Sequence, residues 1–150
     1  MAVVKEKVCR GESQRSIALS GKLKKDGVEG VNSAASAAYL NKWFKHLPKG
    51  AQAAIDIRLK YLQTQKNWGR PYSAKLRGFD HIHELRITWQ RNRYRPLGFF
   101  GPNRGEFTLL IGAVEKGSIF EPKSAPETAV ERREMVLGDN NYAIKYFKEP

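Results

Sequence analysis

Cys9 is the only cysteine in 150 residues, so no disulfide can form within the chain and no thiolate metal cluster can be built. Histidine is nearly as scarce. His46, His81 and His83 are too few for a His-rich site, and the His81-x-His83 pair has only Asp80 and Glu84 beside it. No metal and no cofactor are expected. Long apolar runs are missing as well. The longest, Leu109 to Val114 with Phe107 before it, is far short of the roughly 20 residues a membrane helix needs. The N-terminal Met-Ala-Val-Val-Lys-Glu-Lys has no long apolar stretch, so the expectation is a cytoplasmic protein without membrane association.

Negative charge is also in short supply. There are 27 Lys and Arg against 15 Asp and Glu, a net charge of +12 and a pI near 10.0. The imbalance is local. Residues 1–50 and 51–100 carry net charges of +6 and +7, and residues 101–150 carry −1. A field of this sign draws in phosphate backbones and speeds association at low salt, which points to nucleic acid or a ribonucleoprotein as partner. A length of 150 residues and a 41% apolar content fit one globular domain with a genuine core.

Residues 11–35 are rich in Gly, Ser and Lys and read as a long loop or partly disordered insertion, after a first strand over Val3 to Cys9. Asn32 and Ser33 are good N-caps for a helix whose Leu40, Phe44 and Leu47 form one stripe, widened by Trp43 and ended by Pro48 and Gly50. A second helix follows from about Gly50 to Gln65, with Ala51, Ile55, Leu59 and Leu62 at the same spacing. The pair reads as a helical hairpin packed on a sheet. Asn67 to Asp80 is a connector holding Arg70, Lys75 and Arg77.

Three strands joined by short turns come next, over 83–89, 93–100 and 107–114. In the first, Leu85, Ile87 and Trp89 alternate with Glu84, Arg86 and Thr88, so the charged pair falls on the face away from the helices. In the second, Arg95, Leu97 and Phe99 share one face and Tyr94, Pro96 and Phe100 the other. Pro96 lacks an N–H and marks a bulge or an edge. The third is almost wholly apolar, as a central strand buried on both faces would be. Ser124-x-x-Glu127 is a capping box for a last helix marked by Val130, Arg133 and Leu137 and ended by Gly138. The whole is a small α+β domain, a meander covered by helices on one side.

Arginines in strands lose a core position unless they face outward, so an exposed basic sheet surface is expected. Seven basic residues between positions 70 and 95, including Arg91 and Arg93, meet only two acids there, Asp80 and Glu84. Local pairing cannot neutralise them all.

From Ala37 to Gly138 the chain resembles the RelE/ParE superfamily of toxins of type II toxin–antitoxin modules, in particular its HigB-like, phage-derived branch. The resemblance rests on Pro71-Tyr72-Ser73-Ala74-Lys75-Leu76, Glu84-Leu85-Arg86-Ile87, Tyr94-Arg95, Leu109-Leu110, Lys116, Pro122 and the Glu127-x-Ala129-x-x-Arg132 helix. It implies a RelE-like fold, a helical hairpin and a C-terminal helix on a mainly antiparallel sheet of about four strands. It implies a metal-independent, ribosome-associated endoribonuclease that cleaves mRNA and is held by a cognate antitoxin. On this chain Arg86, Arg95 and Lys116 match the family's basic active face, with Glu84 as base. Glu84 can equally be an ion-pair partner of the arginines. Lys75, Arg77, Arg91, Arg93 and Tyr94 would meet RNA, Tyr94 by stacking unless it belongs to the core.

The chain departs from HigB-like relatives where they carry a His and an aromatic before a Lys pair. Ile111 stands in place of the His and Glu115 in place of the first Lys. Two alternatives therefore stay open, a ParE-like inhibitor of DNA gyrase and a catalytically silent RNA-binding protein of phage origin.

Overall fold

A computed structural model describes residues 16–20, 40–102, 104–138 and 143–145. Within them lie ten strands: β1 Ser16–Ser20, β2 Ser73–Lys75, β3 His83–Leu85, β4 Ile87–Trp89, β5 Asn92–Tyr94, β6 Leu97–Phe100, β7 Glu106–Ile111, β8 Val114–Lys116, β9 Ile119–Glu121 and β10 Ala143–Lys145. The helices are α1, Lys49–Gln63, and α2, Ala125–Gly138, with a further helical segment over 40–45. The α+β class expected from the sequence is the class observed. The expected strand over Val3 to Cys9 and the start of the first helix lie outside the described residues.

The expected three-stranded meander is present, but each of its strands is broken in the middle. The broken halves order into two sheets, β10-β1-β7-β6-β3-β2 and β4-β5-β8-β9. The breaks fall on one line: Arg86 in the first strand, Arg95 and Pro96 in the second, Gly112 and Ala113 in the third. Backbone hydrogen bonds still join the strands along this line, from Leu85 N–H to the Pro96 carbonyl (2.9 Å) and from Arg95 N–H to the Ala113 carbonyl (2.8 Å). The meander is thus one hydrogen-bonded surface folded along a crease. Pro96, which has no N–H to give, sits on that crease. The β6–β7 register shifts between Leu97 and Gly98, which pair with Ile111 and Leu109, so the extra residue of the bulge is Leu110 on β7.

The sheet is covered on both faces, not on one as expected. α1 presents Ala51, Ile55, Leu59 and Leu62, all buried, to Leu85, Ile87, Tyr94, Phe107 and Leu109. Each of the three large aliphatic side chains contributes about 1.5–3 kcal/mol by leaving water. α2 packs on the opposite face, where Ala125, Ala129 and Val136 meet Ile82, Leu97, Phe99, Leu110 and Ala113. Strand alternation explains the division, since Phe107 and Leu109 of β7 face one helix and Leu110 the other. Leu137, one of the residues that marked this helix in the sequence, is exposed. The small side chains of Ala125 and Ala129 let that helix approach the sheet instead.

Three short strands lie where loops were expected. Ser16–Ser20, within the Gly/Ser-rich stretch, pairs in parallel with β7, its Ile17 and Leu19 alternating with small residues. Ser73–Lys75, inside the connector, pairs with β3. Ile119–Glu121 forms a hairpin with β8. β7 is the central strand it was expected to be, flanked by β1 and β6.

Candidate nucleic-acid interface

Where β2 meets β3, their connecting turn opens a cleft of about 690 Å³ lined by Arg70, Lys75, Leu76, Arg77, Gly78, Asp80, Glu84 and Arg86. The turn is closed by hydrogen bonds from Leu76 N–H to the Ile82 carbonyl (2.8 Å) and from Ile82 N–H to the Phe79 carbonyl (3.3 Å). Gly78 takes a φ of +84°, which costs glycine nothing. Four cations face two carboxylates across this cleft. Strand pairing sets their spacing, since Ala74 lies opposite Glu84 and Lys75 opposite His83.

Arg86 occupies the crease with its side chain about one-third exposed. Its Nε and Nη2 both reach Glu84 Oε2 at 2.8 Å, so Glu84 engages two of its N–H groups and holds the guanidinium plane. Glu84 is itself buried, its side chain 10% exposed. The ion-pair role weighed for it from sequence is therefore present in the geometry.

Arg95 lies behind Arg86 on the same crease, but it does not line an exposed surface. Its side chain is 8% exposed, its Nε donates to Glu115 Oε1 at 3.0 Å and its Nη1 donates to the Tyr94 carbonyl at 3.1 Å. Burial pulls this guanidinium below its ordinary range, opposed by the Glu115 and Glu84 carboxylates. Arg93 projects on the same strand face, half exposed and 4.0 Å from Glu115. Arg91 stands at the exposed tip of the β4–β5 hairpin, where it and Gln90 both adopt positive φ, +70° and +49°.

Tyr94 and Lys116 point away from these groups altogether. Tyr94 is 4% exposed and packed in the α1-side core, so it offers no ring for a base to stack on. Lys116 follows Glu115 on β8 and so projects from the other face of the strand, where it pairs with Glu121 at 2.9 Å, both side chains well exposed. Of the expected site residues the cleft thus gathers Lys75, Arg77, Glu84 and Arg86, while Arg91, Arg93, Tyr94, Arg95 and Lys116 lie outside its lining. It also includes Arg70 and Asp80, connector residues to which the sequence reading gave no site role.

His83 borders this region with its ring edge against Phe100, centroids 4.8 Å apart. Its buried Nδ1 has no hydrogen-bond partner. Burial lowers its pKa from the ordinary value; the His81 backbone opposes this, and the charges of Lys75 and His81 add to it. Among the described residues no three His, Cys, Asp or Glu side chains are grouped to hold a metal ion. No helix among them is long and apolar enough to cross a membrane.

The meander is creased along a line that holds Arg86 and Arg95, with a basic cleft on one flank and helices on both faces. The sequence profile of the family described as phage derived protein Gp49-like (DUF891) matches residues 42–134, more than half the chain and all of the cleft. The chain belongs to the Gp49-like family. That family is phage-derived and toxin-like, and it falls in the clan of RelE/HigB-type toxins. The match supports the superfamily named from the residues, without singling out the HigB-like branch. No curated protein and no solved structure matches the chain. The observed α+β architecture is compatible with a small RelE-like fold for this Gp49-like protein.

Proposed function

We propose that this Gp49-like protein is the toxin of a type II toxin–antitoxin module and acts as a ribosome-associated endoribonuclease on mRNA in the cytoplasm, without a metal. The observation that carries the reading is the cleft in which Arg70, Lys75, Arg77 and Arg86 converge. Such a cluster suits a phosphodiester backbone. Guanidinium groups fixed by their own hydrogen bonds stabilise charge without reorganising as it develops on a phosphate.

In this mechanism the RNA 2′-hydroxyl attacks the adjacent phosphorus. The P–O5′ bond breaks and the departing oxygen takes a proton from water, leaving a 2′,3′-cyclic phosphate and a 5′-hydroxyl end. Arg86, oriented by Glu84, faces the phosphate. Lys75, Arg77 and Arg70 hold the flanking backbone. Arg95 acts from behind as a buried positive charge, and Glu84 accepts the 2′-hydroxyl proton. A cognate antitoxin neutralises the protein by covering the basic cleft with an acidic segment.

A second reading is favoured by one observation. Ile111, partly buried at the end of β7, stands where HigB-like relatives carry a His. On the second reading the cleft binds RNA, and without a side chain to protonate the leaving oxygen cleavage is too slow to matter. Both readings predict salt-dependent RNA binding. A contact with single-stranded RNA contributes a slope of about −0.7 to the logarithm of affinity against the logarithm of salt, so Lys75→Ala and Arg77→Ala should each flatten the slope by about that amount. An affinity indifferent to salt would overturn both.

A further inference from the structure

The backbone of Arg86 is in an unusual position. It sits on the crease between β3 and β4, outside either strand, so the ladder alone does not fix the direction of its side chain. Two other contacts do. Its N–H donates to the Tyr72 carbonyl at 2.8 Å. Its carbonyl accepts from Nη1 of Arg58, which reaches across from α1 at 3.2 Å. The same Arg58 guanidinium lies over the Tyr72 ring, 4.3 Å from its centroid, and Tyr61 braces that ring edge-on at 5.3 Å. Arg58 thereby touches both halves of the clamp, the carbonyl of Arg86 and the residue that receives its N–H.

We propose that Arg58 is a positioning residue for the cleft: it locks the crease at Arg86 so that the Arg86–Glu84 pair points into the phosphate site. This rests on reading the cleft as a phosphate site. Its planar guanidinium can stack on an aromatic ring and donate sideways to a carbonyl at once. α1 is anchored in the core by four buried residues, which makes it a rigid base for the contact. A helix arginine thus orients a sheet arginine without itself facing the ligand.

The test is a double-variant cycle on binding of a short fluorescent single-stranded RNA, using Arg58→Met, Arg86→Ala and both together. Methionine keeps apolar packing on Tyr72 and cannot donate to the carbonyl. Loss of a charged hydrogen bond at Arg86 should weaken binding about ten-fold or more in the wild type. In the Arg58→Met background the same step should fall to about two-fold, because Arg86 is no longer aimed. Lys49→Met removes one charge from the first turn of the same helix and should leave the Arg86→Ala step at full size.

The Arg86 Nε–H nitrogen resonance gives a readout independent of RNA. It should be sharp and slow to exchange in the wild type and broadened in Arg58→Met, with the backbone amides of β7 unchanged. An Arg86→Ala step of equal size in both backgrounds, or an unaltered Nε–H resonance in Arg58→Met, overturns the inference. If Arg86→Ala does not weaken RNA binding in the wild type, the phosphate reading of the cleft falls instead, and the resonance alone decides whether Arg58 holds Arg86.

Discussion

Replacing Glu115 by Gln tests whether Arg95 is a buried charge held in place by one carboxylate. The Arg95 side chain is 8% exposed and the Glu115 side chain 27%, with Nε and Oε1 at 3.0 Å. Removing one partner of a buried pair typically costs about 3–5 kcal/mol, because the other charge stays desolvated. The low end applies here. Glu115 keeps some contact with water, and Glu84 also favours the charged form of Arg95. A loss of about 3 kcal/mol in a chain of this size lowers Tm by roughly 6–12 °C. Thermal melts by circular dichroism measure it directly. The Lys116–Glu121 pair, exposed at both ends, is the internal control. Glu121→Gln should shift stability by no more than about 0.5 kcal/mol. Replacing both members of the buried pair, as Arg95→Met with Glu115→Leu, should recover most of the loss. Equal, small shifts in Glu115→Gln and Glu121→Gln would refute the reasoning and place Arg95 in contact with water.

Three further outcomes follow from the geometry. His83 has a folded-state pKa below its ordinary value, so near pH 6.5 the unfolded chain binds a proton that the folded one does not. Stability is therefore full above about pH 6.5 and declines as pH falls from there through the folded value; His83→Phe should remove that part of the acid slope in melts run from pH 7.5 to 5. At Gly112 an added Cβ would overlap the Trp43 indole, whereas nothing lies near one at Gly69. Gly112→Ala should cost about 1–3 kcal/mol in chemical denaturation, and Gly69→Ala should be close to neutral. Gln90 and Arg91 make the two-residue β4–β5 turn with positive φ at both positions, a conformation that suits Asn-Gly. Gln90→Asn with Arg91→Gly should raise stability by about 1 kcal/mol, and a fall in Tm would mean that contacts of the original side chains hold the tip.

Much of the fold was legible because periodicity survives in single residues. The 3.6-residue spacing of Ala51, Ile55, Leu59 and Leu62 located α1 to within two residues at each end and named its four buried positions. The nearly continuous apolar run from Phe107 to Val114 marked the central strand. A period of two carries no mark of where a strand breaks, so the crease was not read; only Pro96, where a missing donor pointed to a bulge or an edge, hinted at an irregularity there. The second covering face escaped because α2 buries Ala125, Ala129 and Val136, a stripe too small to stand out against its exposed Leu137 and Met135. Strands of three residues, such as Ser73–Lys75 and Ile119–Glu121, are shorter than any pattern that could declare them.

The site was half legible for a related reason. Lys75, Arg77, Glu84 and Arg86 come from neighbouring paired strands and their turn, so sequence proximity tracked spatial proximity. The balance of seven cations against two acids over residues 70–95 missed Glu115, which reaches Arg95 from 20 positions away. Alternation on β8 likewise carries Lys116 off the face that Glu115 occupies. The contact of Arg58 with Arg86 spans 28 positions and leaves no trace in local composition.

The central claim is that the cleft around Arg86 cuts RNA in cells, and mapping new mRNA 5′ ends after induced expression tests it most directly. Wild-type protein should create fresh 5′-hydroxyl ends within translated messages and arrest growth. Folded Arg86→Ala should lose both, since a charged donor to the transition state contributes on the order of 3 kcal/mol, a hundred-fold or more in rate. Unchanged message ends in cells expressing soluble wild-type protein, or cleavage undiminished in folded Arg86→Ala, would contradict the account.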